Sequence, residues 1–202
     1  MRSTSVSQRW AAAALAAAAL IVTGCGGQKA TTGDSVTSLR GLVPQPLPPK
    51  PSFTLTDTAG RPFSFAARTR GKLTYLYFGY THCPDACPAT MDEIAYALKH
   101  QPASISRRVE VVFVTVDPRR DTRTVLRTWL DHFNRSFVGL TGSEQQIEAA
   151  ESAAGVPYVP GKVTTHSSLV LPYSPGGLAH VVYTQGFKPD DYAHDLPLLL
   201  RY

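Results

Sequence analysis

Cys83 and Cys87, separated by Pro84-Asp85-Ala86 and followed by Pro88, come directly after an apolar and aromatic run, Leu73–Tyr80. Much later in the chain His166 opens a second strand-like run. Two thiols at the tip of a strand, with room for an imidazole alongside, make either a soft-metal site or a thiol-redox site. Cysteines four apart at a helix start lie on one face, one turn apart. The free N–H groups and partial positive charge of that helix end favour thiolate, which predicts lowered thiol pKa values. Two thiolates and one imidazole form a low-coordinate set suited to copper, whereas structural zinc would want a fourth protein ligand. The alternatives are plain ones. A Cys83–Cys87 pair can be a disulfide in an oxidising compartment. From spacing alone, a single histidine before a strand is more often a packing or surface residue than a ligand.

The elements that must position these groups follow from periodicity. Phe53–Phe65 alternates apolar and polar residues around Asp57-Thr58-Ala59-Gly60, a hairpin signal. Leu73–Tyr80 and Val109–Val116 are continuously apolar, which predicts strands buried on both faces. A helix is expected from about Pro88 to Lys99, and another from an Asp121 N-cap to about His132. Phe137–Leu140 reads as a short strand, and Ser143 as the cap of a helix ending near Ala154. His166–Leu171 and Ala179–Tyr183 read as a hairpin across Pro172–Gly177, and Pro189–Leu200 as a terminal helix. The order predicts an α/β domain: a central mixed sheet with helices on both faces and an added N-terminal hairpin. It is similar to a thioredoxin-like fold, in which reactive cysteines occupy the turn from the first main strand into its helix.

The first quarter of the chain has a different character. Arg2 and Arg9 precede or open the alanine-rich apolar run Trp10–Val22, followed by Thr23-Gly24. That is a signal-peptide layout over residues 1–24, with a core too short to span a membrane comfortably. Val22-Thr23-Gly24-Cys25 resembles a bacterial lipobox, which predicts lipidation of Cys25 and a location on the outer face of the cell membrane. Residues 25–50 are rich in Gly, Ser, Thr and Pro and are expected to form a tether, leaving 51–202 as one folded domain. Of the chain's three cysteines, only Cys83 and Cys87 then remain in that domain. Removing Arg2 and Arg9 with the leader leaves 18 basic against 15 acidic residues, a net charge of +3. The basic residues are scattered, which argues against nucleic acid as a partner.

Three segments carry a family resemblance: Gly79-Tyr80-Thr81-His82-Cys83-Pro84-Asp85-Ala86-Cys87-Pro88, then Val116-Asp117-Pro118-Arg119-Arg120-Asp121-Thr122, then His166-Ser167-Ser168. In type and order they resemble the signatures of the Sco/SenC family of copper chaperones for cytochrome c oxidase assembly. The resemblance implies copper, Cu(I) or Cu(II), held by Cys83, Cys87 and His166. It also implies membrane tethering, with the copper-bearing oxidase subunit, and another periplasmic-type copper carrier, as partners. A thiol-disulfide oxidoreductase working through Cys83 and Cys87 is the competing expectation. The chain departs from the family pattern at Thr165, where an acidic residue is usual, and over Leu171–Gly176. Around the motifs, Asp85 could cap the helix or tune the thiols. Asp117 could lie close enough to orient the site or could only close a turn. His82 is expected as a lid or loop residue, and His100, His132, His180 and His194 as surface residues.

Overall fold

The computed structural model describes residues 38–157 and 167–202. Its centre is the pair of apolar runs, β3 (Leu73–Gly79) and β4 (Val109–Thr115), parallel and in register from Leu73 opposite Val109 to Gly79 opposite Thr115. Every β3 residue is buried, as expected of a strand covered on both faces. β5 (Val138–Thr141) runs parallel to β4 on the far side. β6 (Val170–Tyr173) runs antiparallel to β3. The hairpin β1 (Thr54–Asp57) and β2 (Pro62–Ser64) joins the edge at β5, with Gly60 at φ 82° in its turn. Among the described residues the sheet has six strands in the order β2-β1-β5-β4-β3-β6. It is the mixed sheet that the sequence predicts.

Strand alternation divides the core in two. Leu73, Tyr75, Tyr77, Val111 and Phe113 face helices α2 (Ala86–Lys99), α4 (Arg123–Asp131) and α6 (Pro189–Leu199), through Met91, Ile94, Leu126, Leu130, Tyr192 and Leu196. Leu76, Phe78, Val112 and Val114 face the other way, toward Phe65 of α1 (Phe65–Arg68) and Ile147 and Ala150 of α5 (Glu144–Ala153). Ser143 caps α5 in a reciprocal capping box with Gln146. The short helices α1 and α3 (Ala103–Ser106) were not anticipated; each is a single turn, below the length at which periodicity is readable.

Two expectations need correction. The tether does not extend to Lys50: residues 40–50 dock as a strap along Leu178–Tyr183. Leu42 bridges Val182 and Pro49 bridges Leu178. Asp195 accepts the backbone N–H groups of Arg40 and Gly41 at 2.9 and 3.0 Å, and Lys50 Nζ donates to the Thr69 and Lys72 carbonyls. Low apolar content predicts a free segment, but backbone hydrogen bonds hold this one. The second correction concerns the hairpin after β6. Its return arm makes isolated bridges, Val170 to Tyr183 and Tyr173 to Ala179, rather than a continuous strand. It is sandwiched between β6 and a strap carrying Pro44, Pro46, Pro48 and Pro49, whose missing N–H groups cannot complete a ladder. Among the described residues no helix is long and apolar enough to cross a membrane.

Candidate thiol and metal site

Cys87 lies inside α2, one position past the start, because the helix begins at Ala86 and not at Pro88. Pro88 is tolerated there since the first-turn N–H groups have no intrahelical partner. The Cys87 side chain is fully buried at the end of β3. A Cβ placed on Gly79 would come within 2.9 Å of the Cys87 sulfur and 2.8 Å of the Tyr77 ring. Glycine is therefore what lets the sulfur rest on the strand tip. The Tyr77 hydroxyl donates toward that sulfur at 3.6 Å. Burial pushes the Cys87 thiol up to about 12, outweighing opposing hydrogen bonds from the Tyr80 backbone and the Tyr77 hydroxyl. The helix end was expected to lower the pKa of both thiols; at Cys87 desolvation wins. Burial, then the charge of Cys87, also holds the Tyr77 phenol well above its usual range, so it remains a neutral donor.

Cys83 is half-buried at the mouth of the loop, its sulfur accepting the Cys87 backbone N–H at 3.3 Å. The first thiol thus occupies a helix-capping position over the second, and both side chains are thiols. Asp85 occupies the N-cap position just before Ala86, but its carboxylate makes no capping bond; its backbone carbonyl accepts from the Ala89 N–H. His82 is exposed, as expected of a loop residue.

The second motif packs beside the first. The Val116 N–H donates to the Gly79 carbonyl at 2.8 Å, joining the exits of β3 and β4. Asp117 is 7% exposed, and its carboxylate pairs with Arg120. Its backbone N–H donates to Thr115 Oγ1. These contacts close the turn after β4. Asp121, expected as the N-cap of α4, is not: Thr122 caps the helix, accepting from the Val125 N–H. Asp121 is instead wholly buried and accepts from Thr81 N at 2.9 Å, Thr81 Oγ1 at 2.6 Å and Thr115 Oγ1 at 2.6 Å. The readable signal was redundancy, since Asp121-Thr122 offers two consecutive capping residues where a helix uses one.

Cys25, Thr165 and His166 lie outside the described residues. Among the described residues no cluster of three or more His, Cys, Asp or Glu side chains is placed to hold a metal ion. The thiol pair brings two soft donors together at one place. His100 and His132 are exposed as expected. His194 and His180 are partly buried instead: His194 Nδ1 sits 2.8 Å from Asp195, and His180 stacks on Tyr202 with ring centroids 3.9 Å apart.

The SCO1/SenC family model matches residues 44–200. A Stutzerimonas stutzeri protein named for copper binding is 33% identical over 156 residues, covering 74% of this chain and 76% of that one. The SCO2-like protein of Rickettsia felis is 43% identical over 99 residues, 48% of this chain and 46% of its own length. This chain therefore spans under half of that relative. Arabidopsis thaliana ScoI, solved with copper bound, superposes with a TM-score of 0.66 at 28% identity over 75% of this chain and 98% of its own. Apo Sco1 from Thermus thermophilus superposes with a TM-score of 0.66 at 29% identity, over 82% and 96% of the two chains.

Proposed function

This chain belongs to the SCO1/SenC family, and from that premise we propose that it is a membrane-tethered metallochaperone that delivers copper to the dinuclear centre of cytochrome c oxidase. Cys83, Cys87 and His166 are the proposed ligands and Cys25 the lipidated anchor, on the outer face of the cell membrane. The observation that carries the proposal is the thiol pair itself. One sulfur is buried on the tip of β3 and the other is half-buried above it, linked through the Cys87 N–H. Two soft donors in a fixed, low-coordinate arrangement suit copper, and relatives at comparable identity have been solved with copper bound. Copper has to displace the Cys87 proton, which burial holds tightly, so loading is driven by metal affinity and favoured by rising pH. Handover proceeds by ligand exchange, with an incoming thiolate of the acceptor displacing His166 or one cysteine.

A second function is favoured by the unequal exposure of the thiols. Partly exposed Cys83 is placed to attack a disulfide of the acceptor, and buried Cys87 to resolve the mixed disulfide. The acceptor leaves with two thiols, and the two electrons come from Cys83 and Cys87, which end as a disulfide. His166→Ala separates the two functions. The chaperone requires that this variant lose Cu(II) binding with its thiolate-to-copper absorption, hold Cu(I) more weakly, and reduce a model disulfide as fast as wild type. In cells its oxidase copper centre should fail to assemble about as badly as with Cys83→Ser. Normal assembly with His166→Ala, alongside failure with Cys83→Ser, would sink copper carriage by this triad and leave the reductase.

A further inference from the structure

We propose that Asp121 is the positioning residue of the thiol loop, acting through Thr81 to hold Cys83 over Cys87. The proposal rests on the reading of the two cysteines as the working site, but not on copper. Thr81 lies two residues before Cys83, in the stretch that leaves β3 and must turn back into α2. Asp121 lies at the entrance to α4, forty residues further on, and is fully buried. One of its oxygens accepts the Thr81 N–H at 2.9 Å and the Thr115 hydroxyl at 2.6 Å; the other accepts the Thr81 hydroxyl at 2.6 Å. Thr81 is thereby held at backbone and side chain at once, against a carboxylate that cannot swing to solvent. Thr115 completes the clamp from the end of β4, because its hydroxyl also accepts the Asp117 N–H at 3.0 Å. The Asp121 N–H in turn donates to the Asp117 carbonyl at 2.9 Å.

The consequence reaches Cys83 along a short, constrained path. The Cys83 N–H donates to the Tyr80 carbonyl at 3.2 Å, so a tight turn closes around Thr81 and His82. Fixing Thr81 fixes that turn, and the turn sets where the Cys83 sulfur meets the Cys87 N–H. The neighbouring ring is drawn into the same cluster: the Thr81 hydroxyl donates to Asp121, and Thr81 Oγ1 also lies 3.0 Å from His82 Nδ1. His82 Nδ1 is also 3.6 Å from Asp121 Oδ1. The two motifs that flank this loop are therefore one device: the second holds the first in shape.

The test measures the equilibrium between the Cys83–Cys87 dithiol and its disulfide against glutathione, without metal. Closing the disulfide requires the two sulfurs to be pre-aligned, so freeing the loop lowers its equilibrium constant. Asp121→Asn keeps the shape but removes acceptor capacity, and Thr81→Val removes only the hydroxyl. Each should lower the constant by about tenfold, the scale of the entropy of one freed residue. The double variant should fall no further than the worse single variant, because both cut the same link. Thr122→Ala, which removes the α4 cap and lowers stability without touching the loop, should leave the constant within about twofold of wild type. An unchanged constant in Thr81→Val and Asp121→Asn, multiplicative single effects, or an equal fall in Thr122→Ala would each overturn the proposal. So would a wild type that forms no intramolecular disulfide. If Asp121→Asn does not fold, Thr81→Val against Thr122→Ala decides alone. Failure of the wild type to bind copper, with these results intact, would refute the chaperone and leave the clamp standing.

Discussion

Asp121 and Asp195 are both fully buried, and both are used to tie distant pieces of chain together. Asp121 accepts one backbone N–H and two threonine hydroxyls. Asp195 accepts the Arg40 and Gly41 N–H groups and the Tyr183 hydroxyl at 2.8 Å, with His194 Nδ1 also 2.8 Å away. The chemistry is the same: a carboxylate taken out of water is tolerated when donors surround it. What differs is the segment held. Asp121 holds a loop that bears a reactive thiol, and Asp195 holds a strap that bears no reactive group. The same device serves geometry in one case and attachment in the other.

The comparison breaks first at Asp195. Asp195→Ala leaves two backbone donors and a buried tyrosine hydroxyl without their acceptor, and should cost about 3–5 kcal/mol. Urea unfolding measures the loss, and amide exchange should rise first at Arg40, Gly41 and Leu42. The thiol equilibrium should stay near wild type, because the strap's bridges and hydrogen bonds go to Gly177–Val182, Asp195, Thr69 and Lys72 and not to the Cys83 loop; a tenfold change there would erase the distinction between the two carboxylates.

Glu151 sharpens the comparison, being an equally buried carboxylate without such donors. It is 1% exposed, one of its oxygens has no hydrogen-bond partner, and burial followed by the Glu148 charge pushes it up to about 7. Its folded pKa exceeds the ordinary 4.5, so the native state binds the extra proton. The associated stability is fully present below about 4.5 and is lost as pH rises through about 7. Glu151→Gln, neutral at every pH, should therefore be more stable than wild type by about 1–3 kcal/mol at pH 8 and nearly equal to it at pH 4.5. Melting curves at the two pH values check this; a variant less stable than wild type at pH 8 would show that Glu151 is satisfied as an anion.

The smallest effect belongs to a carboxylate that never left water. Glu144 pairs with Arg119 at 2.7 Å, but the two side chains are 57% and 81% exposed. Arg119→Ala should change stability by less than about 0.5 kcal/mol, and less still at high salt. A larger loss in urea unfolding would mean that this pair, beside the Asp117 turn, braces the loop after β4.

Legibility in the sequence followed the range of the interactions. β3 and β4 were readable because strands buried on both faces need unbroken apolar runs. The cap of α5 was readable because Ser143 and Gln146 are three apart and bond to each other. Asp121 was read only as a cap, since its true partner Thr81 is forty residues away and leaves no local pattern. The strap was missed for a related reason: its proline-rich composition argues for a free tether, while its anchor, Asp195, lies 155 residues beyond Arg40.

By itself, the sequence determined which donor chemistry this protein owns and that two of its thiols lie four residues apart just after a buried strand, because residue type and short-range spacing are local properties. Only the tertiary structure decided that one thiol is fully buried and holds its proton up to about 12 while the other stays half-exposed, and that buried carboxylates lock loop and strap in place. Desolvation depends on what packs around a group, and a carboxylate finds its donors wherever folding brings them, so neither can be read from the neighbours a residue has along the chain.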